Sequence, residues 1–437
     1  MRRPAAIIGL VLLLALALAT PAAADTMGGA TRTRLPNGFT VLVRENPVAP
    51  VVALSLMPRM GTRTETVENA GISNLLQLMV VRGTSTRNGQ EIVEAADRWG
   101  GSIDAFGDVD ASEIAATALD RHWTDILALV ADIALRPSIP PSTTEAVREF
   151  LERQLRNRAE KPYDAGVDAL TARLYGTHPY AWSPLGRRES VGRLDVPALR
   201  AYYQRHYVPG NLVLAVSGRV KTAEVVAEAT RLFGAVPAGA VPTVTLPPVS
   251  AVTPARQVLE VPGAQAQILM GGLAPAVTDA DYAAVKVLAT VLGGGMAGRF
   301  FSELRDKQGL AYTTAAQFPS RMERSYFLAQ IGTAPENVDK AEAALRRELQ
   351  RIREEPVSAD ELKIARAYVL GSLAMDRRTN ARQAWYLASF EAMGVGPEFL
   401  DRYVAQVRQI TAADVQRAAQ KYLATLHTVV VKPPAAR

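Results

Sequence analysis

The sequence predicts an α+β protein built from two tandem homologous units, each a mainly antiparallel sheet with helices packed on one face. Three observations lead there. The first is a repeat: LDVPALRAYYQRHY, from Leu194, precedes the apolar run NLVLAVSG, and 216 residues later ITAADVQRAAQKYL, from Ile410, precedes HTVVVKP. Ser142 and Ser358, the expected N-caps of two helices, lie at that same offset. One offset shared by separate sites marks a duplication. The second is a connector: between Gly234 and Arg256 the chain carries five prolines and no acidic residue. Proline fixes φ and removes a donor, so the connector is extended and semi-rigid. The third is that strand-like runs are grouped with pairs of helical runs, without strict alternation. The expected division is a leader at 1–24, a first unit at 25–233, a connector at 234–256 and a second unit at 257–437.

Within the first unit, TRTRLPNGFTVLVREN and VVALSLMP are alternating or continuously apolar runs, with Asn37-Gly38 as a tight turn. Helices follow over Gly71 to Arg82 and Gly89 to Trp99, then a strand pair around SIDAFGDVD and EIAATAL. Apolar residues at helical spacing place longer helices at His122 to Arg136 and Thr144 to Ala159. The second unit repeats the plan. It opens with VLEVPGAQAQILMGGL and has helices near Tyr282 to Leu292 and Arg299 to Lys307. Strands at AYTTAAQF and SYFLAQIG come next, then helices at Glu336 to Glu354 and Ser358 to Ala374.

Arg2 and Arg3 precede an apolar run from Ala5 to Ala19 and a small-residue end at Ala22 to Ala24. That is the three-part pattern of a secretory signal, cut before Asp25. Its apolar part is shorter than the roughly 20 residues of a membrane span. The expected location is the periplasm of a Gram-negative bacterium, with no membrane span after cleavage. The absence of cysteine excludes disulfides, thiolate nucleophiles and cysteine zinc sites. It suits a periplasmic chain better than a disulfide-stapled secreted scaffold. A net charge of +6 over 437 residues, with no Lys/Arg block interleaved with aromatics, argues against a nucleic-acid partner.

AGISNLLQLMVVRGT, Ala70 to Thr84, has the body of a catalytic helix without its chemistry. Positions i, i+3 and i+4 share one helical face, and two histidines flanking a glutamate at that spacing hold zinc and a general base together. Here those positions are Asn74, Gln77 and Leu78. The wider stretch GTRTETVENAGISNLLQLMVVRGT resembles the zinc-site region of the pitrilysin/insulinase-type (inverzincin) peptidases, with their His-x-x-Glu-His motif. Matched residue by residue, the histidines fall on Asn74 and Leu78 and the glutamate on Gln77. Leucine has no lone pair for a metal, neutral amides bind zinc feebly, and Gln77 cannot serve as a base. The further glutamate ligand implied by the resemblance falls near Gln154, with Glu152 close by, and neither is assigned a role. His122, His178, His206 and His427 are far apart in the sequence, and none has a second histidine at ligand spacing. His178 reads as a turn residue and the other three as partly exposed residues at element ends. No metal is expected on this chain.

In the second unit, VLGGGMAGRFFSELRDKQGLAYTTAAQF is similar to the substrate-gripping segment of the same family. The resemblance implies that Arg305, on a helix, and Tyr312, at the start of a strand, bind substrate backbone, with Gly309 turning the chain between them. Arg305 offers a permanently charged fork of donors and Tyr312 a phenolic one. Without the resemblance, Arg305 is an exposed helix residue paired with Glu303 or Asp306, and Tyr312 is ordinary strand packing. Gly293 to Gly295 lack the Gly-Lys-Ser/Thr of a phosphate loop, and no G-x-S-x-G elbow is present.

The resemblance runs from about Thr31 to Lys432 and implies one half of a clam-shell. The function it implies is that of a non-zinc subunit in a heterodimeric metallopeptidase. There a homologous partner would supply zinc and base, and this chain would contribute Arg305 and Tyr312 to binding of peptide or unfolded polypeptide. The alternative is a catalytically inactive peptide-binding or scaffold protein without an active partner.

Overall fold

The computed structural model describes residues 25–27, 29–249 and 253–434; the expected leader lies outside the described residues. The first sheet is drawn from β1 (Asp25–Met27), β2 (Ala30–Arg34), β3 (Thr40–Glu45), β4 (Val51–Pro58), β5 (Ser102–Phe106), β6 (Glu113–Leu119) and β7 (Leu212–Gly218). Its helices are α1 (Ile72–Val80), α2 (Gly89–Arg98), α3 (Trp123–Leu135), α4 (Pro141–Ala159), α5 (Pro162–Tyr175), α6 (Arg188–Val191), α7 (Val196–His206) and α8 (Thr222–Phe233). After the connector come β8 (Arg256–Glu260), β9 (Ala266–Ala274), β10 (Thr313–Gln317), β11 (Ser325–Thr333) and β12 (His427–Lys432). They are interleaved with α9 (Tyr282–Gly293), α10 (Val338–Glu354), α11 (Ala359–Asp376), α12 (Asn380–Ala392), α13 (Phe399–Gln409) and α14 (Ala412–Tyr422).

Strand order carries the duplication. Among the described residues the first sheet runs β1-β2-β3-β7-β4-β6-β5 and the second β10-β11-β9-β12-β8. Reversed, the second reads β8-β12-β9-β11-β10 and matches β3-β7-β4-β6-β5 strand for strand. The pairs β3/β7 and β8/β12 are parallel, at the same place in both sheets, and the other strand pairs are antiparallel. The chain is therefore two tandem α+β units of one topology. At the turn between β2 and β3, Gly38 takes φ +92°, which favours glycine.

One expected cap is present and one is not. Ser358 accepts from Glu361 N at 3.2 Å while Glu361 accepts from Ser358 N at 2.9 Å, a reciprocal capping box. Ser142 does not cap α4, which begins one residue earlier at Pro141, behind Pro140. A proline whose φ already suits a helix fills the first position.

Alternation along the strands shows what covers each face. On β7, Leu212, Leu214 and Val216 join the core formed with α1, α3, α7 and α8, whereas Val213 and Ala215 pack with Ala384, Leu387 and Ala388 of α12. On β9 and β12, Ile268, Met270 and Val430 join the core of the second unit, whereas Leu269, Val429 and Val431 pack with Leu170 and Leu174 of α5. Each half thus keeps its own helices on one face, as expected, and lends one helix to the far face of the other half's sheet. Strands buried on both faces need apolar residues throughout rather than at every second position, which explains VVALSLMP and AQILMGGLA.

Polar contacts tie the halves further. Arg63 pairs with Glu323 at 2.8 Å, and Arg32 with the buried Glu391 at 2.6 Å. Asp110 accepts from Met322 N at 3.0 Å and from the Tyr180 hydroxyl.

Candidate functional site

The site begins with the carboxylate that starts α1. Glu65 is buried and accepts from Gly71 N at 2.9 Å, Ser73 N at 3.0 Å and Trp182 Nε1 at 3.0 Å. Two of these donors belong to the first turn of the helix, whose N–H groups have no intrahelical acceptor. Burial outweighs the hydrogen bonds and lifts the Glu65 carboxyl to about 6. Gly71 precedes the helix at φ +96°, where a Cβ would meet Gly186 Cα at 2.9 Å. Helix α1 is thereby fixed, packing on α4, α7 and β5.

The three positions of the altered motif fall on this helix and are engaged in structure. Gln77 is fully buried; its Nε2 donates to Glu113 O at 2.7 Å and its Oε1 accepts from the Tyr207 hydroxyl at 2.8 Å. Asn74 is buried against the β5–β6 turn, where a Cβ on Gly107 would come within 2.6 Å of Asn74 Cα. Leu78 packs half-buried on the apolar core. Gln154 and Glu152 lie on the neighbouring α4. These side chains do not fit zinc. Leu78 offers no donor atom, and both ends of the Gln77 amide are already spent on protein partners. Among the described residues no group of three or more His, Asp or Glu is placed to hold a metal ion.

The histidines correct one expectation. His206 and His427 are buried, not partly exposed at element ends. Burial lowers His206 to about 4, and neither ring nitrogen has a partner among the described residues, so the ring is a neutral packing group against Tyr202. His427 accepts from Ala255 N at 3.1 Å where β12 begins. His178 is a turn residue but a buried one, its Nδ1 accepting from Tyr180 N at 3.1 Å. Only His122 is half-exposed, against Asp125 at 3.0 Å.

Arg305 and Tyr312 lie together on the second unit. Arg305 sits on a π-helical turn, Phe300–Lys307, where an α-helix was expected; such turns are rare and recur at functional sites. The turn is held at its start by the buried Arg299, paired with Glu361 at 2.7 Å. Gly309, at φ +63°, releases the chain toward the edge strand β10. Arg305 Nη1 donates to Tyr312 O at 3.3 Å, and its guanidinium lies 5.0 Å from the centre of the Phe301 ring. Arg305 pairs with neither Glu303 nor Asp306, because Lys307 takes Glu303 at 2.8 Å. Tyr312 is 56% exposed and its hydroxyl has no partner among the described residues. The pair therefore presents unspent donors to solvent beside a strand edge.

A duplicated α+β chain with an inverzincin-type helix emptied of ligands and an Arg/Tyr pair on its second unit defines a metallopeptidase-like protein. The chain belongs to peptidase family M16. Residues 40–186 match the family described as Insulinase (Peptidase family M16), and residues 193–369 match Peptidase M16 inactive domain. It is 26% identical over 349 residues to an uncharacterized zinc protease of Bacillus subtilis, covering 80% of this chain and 85% of that one. To an uncharacterized zinc protease of Mycobacterium leprae it is 30% identical over 294 residues, 65% of each chain. Among solved structures, the peptidase M16 inactive domain from Pseudomonas fluorescens has the same fold at TM-score 0.87 and 22% identity, over 93% of this chain and 99% of that one. A protease from Helicobacter pylori matches at TM-score 0.87 and 20% identity, over 92% and 99%.

Proposed function

We propose that this chain is the non-zinc subunit of a periplasmic heterodimeric M16 peptidase, divided at the 234–256 connector into the two domains expected from the sequence. The zinc ion and general base belong to a homologous partner. This chain contributes Arg305 and Tyr312, which take the carbonyl groups of an extended peptide laid beside β10. The observation that carries the reading is the contrast between the two units. At the general-base position of the first, Gln77 is locked between Tyr207 and Glu113, whereas in the second Arg305 spends one donor on Tyr312 O and the Tyr312 hydroxyl has no partner among the described residues.

The test is to purify the chain alone and with an exported homologue carrying His-x-x-Glu-His, then to measure zinc content and peptide cleavage. The lone chain is expected to hold no stoichiometric zinc and to cleave nothing, and the mixed complex to be active. Arg305→Ala in the complex lowers kcat/KM on the order of 10²-fold with assembly intact. Zinc-dependent cleavage by the lone chain, or a complex as inactive as its parts, overturns the proposal.

A further inference from the structure

Helix α9 reads YAAVKVLATVLG, an apolar sequence interrupted by one lysine. Lys286 donates to Phe318 O at 2.7 Å and lies 5.3 Å and 4.9 Å from the centres of the Tyr282 and Phe318 rings. No carboxylate among the described residues pairs with it. The cationic group that acts on it most strongly, Arg321, has the same sign. Lys286 is half-buried, its stem packed between the two rings and its ammonium facing a cavity without a counter-charge among the described residues.

The ammonium lines a cavity of about 310 Å³ between α9, α11, α12 and α13. Its walls are largely aromatic: Tyr282, Tyr386, Phe390, Phe399 and Tyr403. The carboxylate in the lining, Asp376, is already taken by Arg382 at 2.7 Å and by the Tyr386 hydroxyl at 2.7 Å. Tyr403, only 8% exposed as a residue, turns toward the cavity a hydroxyl that has no hydrogen-bond partner among the described residues and is open to solvent or a ligand. Two donors from different helices, Lys286 of α9 and Tyr403 of α13, therefore line one cavity with aromatic walls.

We infer that this cavity binds a small carboxylic acid with an aromatic body, its carboxylate accepting from Lys286 and Tyr403 and its ring packing among the aromatic walls. Burial and the Arg321 guanidinium pull Lys286 down to about 8, so the amine is still mostly charged at neutral pH. The cavity takes no lining residue from α1 or from the Arg305 turn, and the inference does not depend on the proposed peptidase role.

The experiment is calorimetric titration of the full chain at pH 7 with 3-phenylpropionate and with its neutral isostere 3-phenylpropanamide. Saturable binding at one site is expected, with the acid at least tenfold tighter than the amide. Lys286→Met abolishes that preference. Tyr403→Phe, which keeps the ring and removes only the hydroxyl, weakens the acid several-fold. The tripeptide Ala-Ala-Phe with a free carboxyl end distinguishes sources: tighter binding than 3-phenylpropionate assigns the site to peptide C-termini, and weaker binding assigns it to free acids. Equal affinity for acid and amide, no saturable binding of the acid, or unchanged binding in both folded variants overturns the inference.

Discussion

At the scale of single residues, Gln77 shows how a catalytic position becomes a structural one. Its amide uses the donor that glutamate lacks, giving it to Glu113 O at 2.7 Å, and accepts from Tyr207 with its oxygen. Gln77→Glu would set a carboxylate oxygen against a carbonyl in a fully buried place. The expected cost is about 1–3 kcal/mol in urea unfolding near pH 7, and a variant as stable as the parent would contradict this account. Glu65 makes the pH-dependent counterpart. Its carboxyl is raised from 4.5 to about 6 by burial. A raised folded pKa means the native state holds the proton more tightly. The contribution to stability is full below about pH 4.5 and is lost as pH rises through about 6, about 2 kcal/mol in all. Glu65→Gln abolishes this dependence and also turns an amide donor toward the N–H groups of α1, so it is less stable throughout. Unfolding both proteins between pH 4.5 and 7 checks the sign: the gap between them should narrow by about 2 kcal/mol as pH rises.

At the scale of elements, the exchanged helices decide which substitutions matter. On β9, a Cβ at Gly271 would meet Leu170 Cδ2 of α5 at 2.6 Å and Phe327 O at 2.8 Å, one of them main chain. Gly271→Ala is expected to cost about 1–3 kcal/mol by forcing α5 off the sheet. Gly371, in the exposed middle of α11, has nothing within 4 Å of its added Cβ, and Gly371→Ala is expected to stabilise by about 0.5–1 kcal/mol. Chemical denaturation of the pair separates close packing from helix propensity. The same elements show what a sequence discloses. The Asn37-Gly38 turn, the Ser358 cap and the repeat were legible because each is a local or periodic signal. The destinations of α5 and α12 were not, since an apolar stripe such as Gly166, Leu170 and Leu174 specifies area to bury without saying which sheet will bury it. Glu65 escaped notice because it stands seven residues before α1, outside N-cap spacing. Arg305 and Tyr312 were visible through resemblance, but the π-helical turn was not, since α and π turns bury the same Phe300 and Leu304.

At the scale of the whole molecule, the two units are copies in topology yet incomplete without each other. Remove the second half and Leu42, Met57, Val213 and Ala215 lose α12; remove the first and Leu269, Leu328, Val429 and Val431 lose α5. Both sets are buried apolar surface, and an exposed patch of that kind is a route to aggregation. The buried Glu391 adds a charge argument, since it is paired across the halves by Arg32 at 2.6 Å and Arg59 at 3.5 Å. Separated from the first half, it loses both arginines and with them a specific tie that fixes how α12 sits on the first sheet. The intact protein should therefore unfold in one cooperative step, and residues 25–245 or 246–437 expressed alone should bind hydrophobic dye and melt without cooperativity. A cut confined to the proline-rich connector should leave the fold intact, because the polypeptide there has no regular structure between Gly234 and Ala255 among the described residues, and the exchanged helices hold the pieces together. Co-expression of the two pieces, followed by purification through a tag on one, is expected to recover both in equal amounts with the melting profile of the parent. A single piece with a sharp, reversible transition of its own would show that the borrowed helices are dispensable and that the units are independent domains.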